Sequence, residues 1–396
     1  MATLLLVVIY IVFIGLGLPD SSIGAAWPAL YPDLGLDVGM QSLLSAIVSS
    51  GTVLASLFSA KLINKFGTNI VTSFSTLLTA IALLGFSLSN SIWYLIALAI
   101  PLGFGAGAID AALNNYVATR YSSFAMGCLH CFYGVGVALT PYIFSLTLFQ
   151  NNDWRLGFKV IFIIQIAIAV VSFASIPLWK KVREKEPEKN DFTPVTLSLK
   201  QMAKMRPIRI AWILFFSTCA LEFLCGTWGC TFLVQTKGVT ESKAAELITL
   251  YYVGMTVGRF LAGLISSKVS CGGVLSIGFS LVAVGIFALF LPLPPWAFGI
   301  AFCLIGLGNG PTFPNLTHAT PSVYGRERSQ SIIGTQMAAC NLGIMSMYVI
   351  TGPLFQGISL KVFPYFAVVS YAVMVGAFVV YQRLIKKDGK SFFNLH

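Results

Sequence analysis

Residues 180–207 read KKVREKEPEKNDFTPVTLSLKQMAKMRP, a mixed run of Lys, Arg and Glu in an otherwise apolar chain. Before it stand six predominantly apolar runs: Ala2–Tyr31, then about 41–60, 70–89, 91–118, 124–149 and 157–179. After it come six more, at about 208–236, 243–265, 272–292, 296–318, 329–350 and 360–385. Some 20 apolar residues in helical form match the hydrocarbon thickness of a bilayer. The pattern predicts an all-α membrane protein with twelve transmembrane helices in two pseudo-symmetric six-helix bundles. The expected division is an N-terminal bundle at 1–179, a cytoplasmic linker at 180–207, a C-terminal bundle at 208–388 and a cytoplasmic tail at 389–396. The weakly alternating segments of an outer-membrane barrel are absent.

Composition agrees with this division. Of 396 residues 57% are hydrophobic and 10% charged, against ~25% charged in an ordinary soluble domain. Disordered, collagen-like and disulfide-scaffold classes need far less apolar content. The net charge of +11 would suit a nucleic-acid partner, but the charges are distributed as membrane topology. With the N-terminus inside, nineteen Lys and Arg fall in inside loops and the tail and five in outside loops, with Arg259 left within a helix. Basic loops stay on the cytoplasmic side. The expectation is a multi-pass plasma-membrane protein with both termini cytoplasmic and no nucleic-acid partner. The first run has no basic leader and is too long for a cleaved signal, so it reads as a retained helix.

The two halves echo one another. The first run carries Asp20, Gly24 and Trp27, and the seventh carries Glu222, Gly226 and Trp228. Acid and glycine are four apart in both, on one helix face. The fourth run has Gly103, Gly105 and Gly107, and the tenth Gly306, Gly308 and Gly310, with identical spacing. Internal repeats of this kind mark transporters whose site lies between the halves.

Of 14 acidic residues, eleven lie in loops, the tail or helix ends and three well inside apolar runs: Asp20, Asp110 and Glu222. A charge at the bilayer centre costs ~2.5–3.5 kcal/mol on the insertion scale. Such carboxylates face a wet cavity, meet a partner between helices, or load and release a proton. The last use makes these three the candidate proton-coupling groups. Asn114 lies one turn beyond Asp110 and suits a polyhydroxylated ligand. Asn309 and Asn315 flank Pro311 and Pro314, two prolines that must break the hydrogen-bond ladder. A broken helix at membrane depth borders protein or a water cavity. Gln336 and Asn341 in the eleventh run, and His130 and Tyr133 in the fifth, complete the polar candidates. His130 reads equally well as a packing residue, and His318 as a structural one. Trp27 and Trp228 suit stacking on a sugar ring, with interfacial anchoring the competing reading for Trp27. The first, fourth, seventh and tenth runs are expected to line the cavity.

Other chemistry finds no support. Cys128 and Cys131 form a C-x-x-C with apolar flanks and no second pair, and read as packing residues. There is no G-x-x-x-x-G-K-[ST] loop, so ATP is not the energy source. H-E-x-x-H and G-x-S-x-G are absent. The expectation is a transporter, not an enzyme, with no cofactor or metal. Asn315-Leu316-Thr317 matches a glycosylation sequon only by accident of a helical segment.

Over its whole length the chain resembles the major facilitator superfamily: twelve helices, a six-plus-six layout, a central loop, and NDWRLGF at 152–158. The superfamily's loop motif between the second and third helices is degraded to AKLINKFGTN at 60–69. Its second copy reads GRFLAGLISSKVS at 258–270, with Ser267 where the family has Asp. Within the superfamily the chain resembles the fucose/galactose/glucose–proton symporter branch. The supporting segments are GLPDSSIGAAWPAL (17–30), GAIDAALNN (107–115), LHCFYGVGVALTP (129–141), ALEFLCGTW (220–228) and GMTVGRFLAG (254–263). The branch's acid in the first helix corresponds to Asp20, its acid four residues before an Asn in the fourth to Asp110 and Asn114, and its acid in the seventh to Glu222. The branch usually has Glu where Asp110 stands.

The resemblance implies a monomeric importer of a hexose or deoxyhexose by proton symport with alternating access, its partners a sugar, protons and membrane lipids. A proton-antiport exporter of drugs or metabolites is the first alternative. Exporters usually carry Arg early in the fourth helix and Gly-Pro-x-x-Gly-Gly in the fifth, where this chain has Ala99 and GVGVALTP. A sodium-coupled or uncoupled sugar carrier would keep the fold and change the coupling. A non-transporting nutrient receptor is the remaining alternative.

Overall fold

Pro19 decides how the first membrane crossing is built. The structure, a computed structural model, describes residues 2–121, 123–151, 153–185, 197–265, 268–387 and 389–395. The first run is two helices, α1 (Ala2–Asp20) and α2 (Ser22–Asp33). Proline supplies no N–H and crowds the preceding turn. The Ser22 hydroxyl donates to the Pro19 carbonyl at 2.6 Å across the break. The apolar pattern alone predicts one continuous helix here.

Five further crossings follow: α3 (Met40–Phe66), α4 (Thr68–Ser87), α5 (Ile92–Arg120), α6 (Ser123–Asn151) and α7 (Trp154–Ala174), with α8 (Ile176–Lys185) beyond the last. Residues 186–196 of the expected linker lie outside the described residues. A short helix, α9 (Leu199–Lys204), starts from a Ser198–Gln201 capping box. It leads into α10 (Arg206–Lys237), α11 (Glu241–Ile265) and α12 (Cys271–Leu289). The tenth crossing is divided into α13 (Pro295–Asn309) and α14 (Thr312–Tyr324), and α15 (Arg326–Gly357) and α16 (Phe363–Lys387) complete the bundle. The break falls at Gly310–Pro311. Pro314 sits in the first turn of α14, where a missing N–H costs little. Among the described residues eleven crossings are long and apolar enough to span a membrane, and α3 contributes a shorter apolar stretch at Met40–Ala55.

Within the first half α1 lies on α6 and α7, α5 lies on α3 and α4, and α4 lies on α7. In the second half α10 lies on α15 and α16, and α13 on α11 and α12. The glycine triplets account for the closest of these contacts. A Cβ at Gly103 or Gly107 would strike the Val48 or Thr52 carbonyl on α3, and one at Gly105 would strike Thr79 on α4. Gly306 and Gly310 meet α11 at Tyr251 and Met255 in the same way, and Gly308 meets α12 at Gly278. Small residues let helix backbones approach where lipid supplies no hydrophobic drive. The repeated spacing is therefore a repeated packing device.

The halves meet where α6 lies on α11, α3 on α15, and α2 on α10 and α11. At the loop end of the first half, Asp153 caps α7 by accepting from Arg155 N at 2.9 Å. Arg155 in turn pairs with Asp33 at 2.7 Å and donates to the Ser89 carbonyl at 3.1 Å. The DWRLGF part of that segment, 153–158, is thus a helix start that ties three loops together.

Candidate functional site

The α1–α2 break leaves Asp20 at a helix end in mid-bundle, facing a cavity of about 130 Å³ between the halves. The Tyr133 hydroxyl on α6 donates to Asp20 Oδ2. Glu222, on α10, lies on the same wall. Its Oε1 stands 3.4 Å from Arg259 Nη2, with the Glu and Arg side chains only 15% and 11% exposed. Arg259 Nε donates to the Gly310 carbonyl at 3.1 Å. The proline-divided crossing therefore helps hold a largely buried guanidinium, where an unpaired charge would be costly. The Tyr251 hydroxyl donates to the Glu222 carbonyl at 3.1 Å and fixes the backbone of the same turn.

The rest of the wall is rich in hydroxyls and poor in positive charge. Ser45, Ser49 and Thr52 come from α3, Thr227 from α10, and Tyr252 from α11. Asn341 and Tyr348 on α15 complete the polar lining. No Lys or Arg lines the cavity among the described residues. Such a wall donates and accepts many neutral hydrogen bonds and carries two carboxylates.

One end of the cavity is sealed. Gly24 on α2 and Gly226 on α10 meet so closely that a Cβ at Gly24 would strike the Gly226 carbonyl. The buried Gln41 amide donates to the Thr227 carbonyl, and Gln235 Nε2 donates to the Tyr31 hydroxyl at 2.8 Å. These contacts lie toward the 34–39 and 238–240 loops. Toward the chain termini α1 packs on its own half, against α6 and α7.

Of the sequence candidates, Asp20, Tyr133, Glu222 and Asn341 come together on this wall. The other candidates lie elsewhere, each for a visible reason. Trp27 is fully buried and donates to the Val38 carbonyl at 2.9 Å. Trp228 is 1% exposed, donates to Thr351 Oγ1 at 2.8 Å and packs edge-on to Phe355. Neither indole has a face free for a ligand. Asn309 is buried with Nδ2 on the Thr218 carbonyl at 3.3 Å. Asn315 turns back onto the Pro311 carbonyl at 2.7 Å, satisfying a group freed by the helix break. Gln336 is buried against Thr320 at 3.2 Å. His130 is off the wall, edge-on to Phe13. Asp110 and Asn114 pair with each other at 2.7 Å and are not on the lining. The expectation that the fourth and tenth crossings line this cavity is corrected: α3, α6, α11 and α15 do so beside α1, α2 and α10. Glycine-rich faces of α5 and α13 are spent on packing.

Arg259 is the residue that sequence reasoning left without a role. Its signal was present, as the one basic residue that the loop assignment left within a helix. The lining hydroxyls gave no such signal, because Ser, Thr and Tyr are ordinary within membrane helices.

Comparison with known proteins gives a consistent picture. The family model described as Major Facilitator Superfamily matches residues 9–348. The chain is 22% identical over 418 residues to "Bypass of stop codon protein 6" of Saccharomyces cerevisiae, covering 96% of this chain and 83% of that protein. It is 22% identical over 298 residues to the glucose/mannose transporter GlcP of Bacillus subtilis, covering 69% of this chain and 71% of that one. Among solved structures, a point mutant of the nucleoside transporter NupG superposes with a TM-score of 0.73 at 12% identity, over 95% of this chain and 98% of that one.

Proposed function

We propose that this chain, which belongs to the Major Facilitator Superfamily and is a membrane transporter of that type, imports a monosaccharide by proton symport. The substrate is a hexose or deoxyhexose, carried by alternating access across the plasma membrane with both termini in the cytoplasm. The observation that carries the reading is the Asp20–Tyr133 pair on a cavity wall whose polar part consists of hydroxyls, an amide and a second carboxylate, set among apolar residues such as Val48, Phe223 and Met255. A sugar offers several hydroxyls, each a donor and an acceptor. A wall of Ser, Thr, Tyr and Asn answers both functions, and leaving one such buried partner unmet costs ~1–3 kcal/mol. The lack of a lining cation disfavours an anionic substrate. The cavity, small beside the ~300–1,000 Å³ of drug-sized sites, suits a small solute.

Asp20 has no cationic partner among the described residues, so its charge is balanced only when a proton is bound. It is the proposed proton carrier. Glu222 already has Arg259 as counter-ion and serves as a sugar ligand whose charge the pair keeps in place. Asp110, hydrogen-bonded to Asn114, is a second proton station away from the sugar. The distribution of Lys and Arg supports the orientation, and the name of the B. subtilis relative supports a sugar.

The test is uptake by reconstituted vesicles, scanned across labelled hexoses and deoxyhexoses under an imposed pH gradient, an imposed sodium gradient, or neither. The proposal expects accumulation of at least one such sugar with the pH gradient alone. Accumulation driven by sodium and not by protons would overturn the coupling. Accumulation of none of these sugars would overturn the substrate class.

A further inference from the structure

The C-terminal segment does not trail away from the bundle. Leu395 O accepts from Cys271 N at 2.8 Å, at the start of α12. Gln382 on α16 donates to Ser391 Oγ at 2.6 Å and accepts from Phe392 N at 3.0 Å. Phe392 is 1% exposed and stacks on Phe378, with ring centres 5.9 Å apart. Lys390 Nζ is bound to the Val323 carbonyl. Residues 389–395 therefore form a fixed wall across the ends of α12 and α16.

Beneath that wall is a furrow of about 980 Å³ between the two helices. On α16 its side is the stripe Tyr371, Val375, Val379 and Arg383, spaced by four, so that all four share a face. On α12 it is Ser276 and Ser280, again four apart, whose small side chains leave the space open. Polarity changes along the furrow. Toward mid-membrane the lining is Tyr371, Val375 and Val379; at the terminus end it is Arg383, Lys386 and Asn394. Arg383 and Lys386 are exposed and have neither an ion-pair nor a hydrogen-bond partner among the described residues.

We infer that this furrow is a binding site for one anionic glycerophospholipid of the leaflet on the side of the chain termini. The apolar part of the furrow, Phe279, Val375, Phe378 and Val379, suits an acyl chain, since water against it would lose hydrogen bonds. Two uncompensated cations at its mouth select the headgroup that brings negative charge, and basic pockets between helix ends bind acidic headgroups for this reason. Arg383 supplies a planar fork suited to a phosphodiester, and Lys386 a second point charge. A zwitterionic lipid would fill the slot and leave the excess charge unanswered. Free phosphate would answer the charge and leave the slot empty.

The test uses the purified full chain in detergent, with thermal unfolding followed as lipid is added. Dioleoyl-phosphatidylglycerol should raise the midpoint by a few degrees more than dioleoyl-phosphatidylcholine, because a ligand of the folded state stabilises it. The surplus should shrink at high salt. The double variant R383Q/K386Q changes only exposed side chains and should lose the surplus while keeping the response to phosphatidylcholine. Ser280→Trp, which fills the slot and keeps both cations, should lose it too. Native mass spectrometry should find one retained phosphatidylglycerol on the parent chain and none on R383Q/K386Q. Equal shifts from the two lipids, or an undiminished surplus in R383Q/K386Q, would overturn the inference. A shift reproduced by inorganic phosphate alone would show that the furrow takes no part and would overturn it as well.

Discussion

Glu222 and Arg259 are each other's only ion-pair partner among the described residues, at 3.4 Å and with little exposure. Breaking such a pair leaves a buried charge alone, which costs up to ~3–5 kcal/mol when burial is complete. Glu222→Gln should therefore lower the unfolding midpoint. Adding Arg259→Gln should restore part of the loss, because the stranded charge is gone. A thermal-unfolding double-mutant cycle reads this directly, and strict additivity would mean that the two side chains do not act as a pair. Trp228 makes a contrasting case. Its indole N–H is on Thr351 and its ring is inside the second half, so Trp228→Phe should cost about 0.5–1.5 kcal/mol of stability and leave sugar affinity unchanged. A marked loss of affinity in a folded Trp228→Phe protein would return that ring to the binding site. The sequence displays an acid and a glycine four apart in both halves, followed by a tryptophan seven residues from the acid in one and six in the other, yet an indole suits a ligand face, an interface or a core equally well. Only the position of its N–H partner decides among them. Asp20 and Glu222 were legible because a carboxylate has few reasons to lie within an apolar run.

At the scale of the helices, crossings could be read from apolar length alone, and the division of the tenth from two prolines. What remained hidden was which helix faces another helix and which faces water. Glycine at Gly103, Gly105 and Gly107 is compatible with either a cavity or a close backbone contact, and the contacts with α3 and α4 resolve it. The break after Pro19 escaped the apolar pattern because Asp20, Ser21 and Ser22 are a short polar interruption in a long apolar run. The Gly24–Gly226 contact gives this scale its own prediction. It is one place where α2 and α10 touch without side chains between them, and it seals the loop end of the cavity. Gly24→Leu should hold α2 away from α10 while each half keeps its own packing. Spin labels on the exposed Asp37 and Thr240 positions should then report a longer and broader distance than in the parent chain. An unchanged distance would mean that this contact does not control closure.

Across the whole molecule, the two halves meet along α6–α11 and α3–α15 and enclose the site between them. The seal at the loop end and the separate packing of α1 at the other fit a carrier that opens one side at a time. In the proposed symport the proton and the sugar share a route, and Asp20 lies at the point where the first crossing breaks, on the cavity wall, with the Tyr133 hydroxyl beside it. The amide of Asp20→Asn imitates the protonated acid and cannot release a proton. The most direct measurement compares pH-driven accumulation with counterflow of labelled sugar in the same vesicles, for the parent chain and for Asp20→Asn. The account predicts that Asp20→Asn loses accumulation and retains counterflow, since exchange needs no net proton movement. An Asp20→Asn protein that still concentrates sugar under a pH gradient would contradict it.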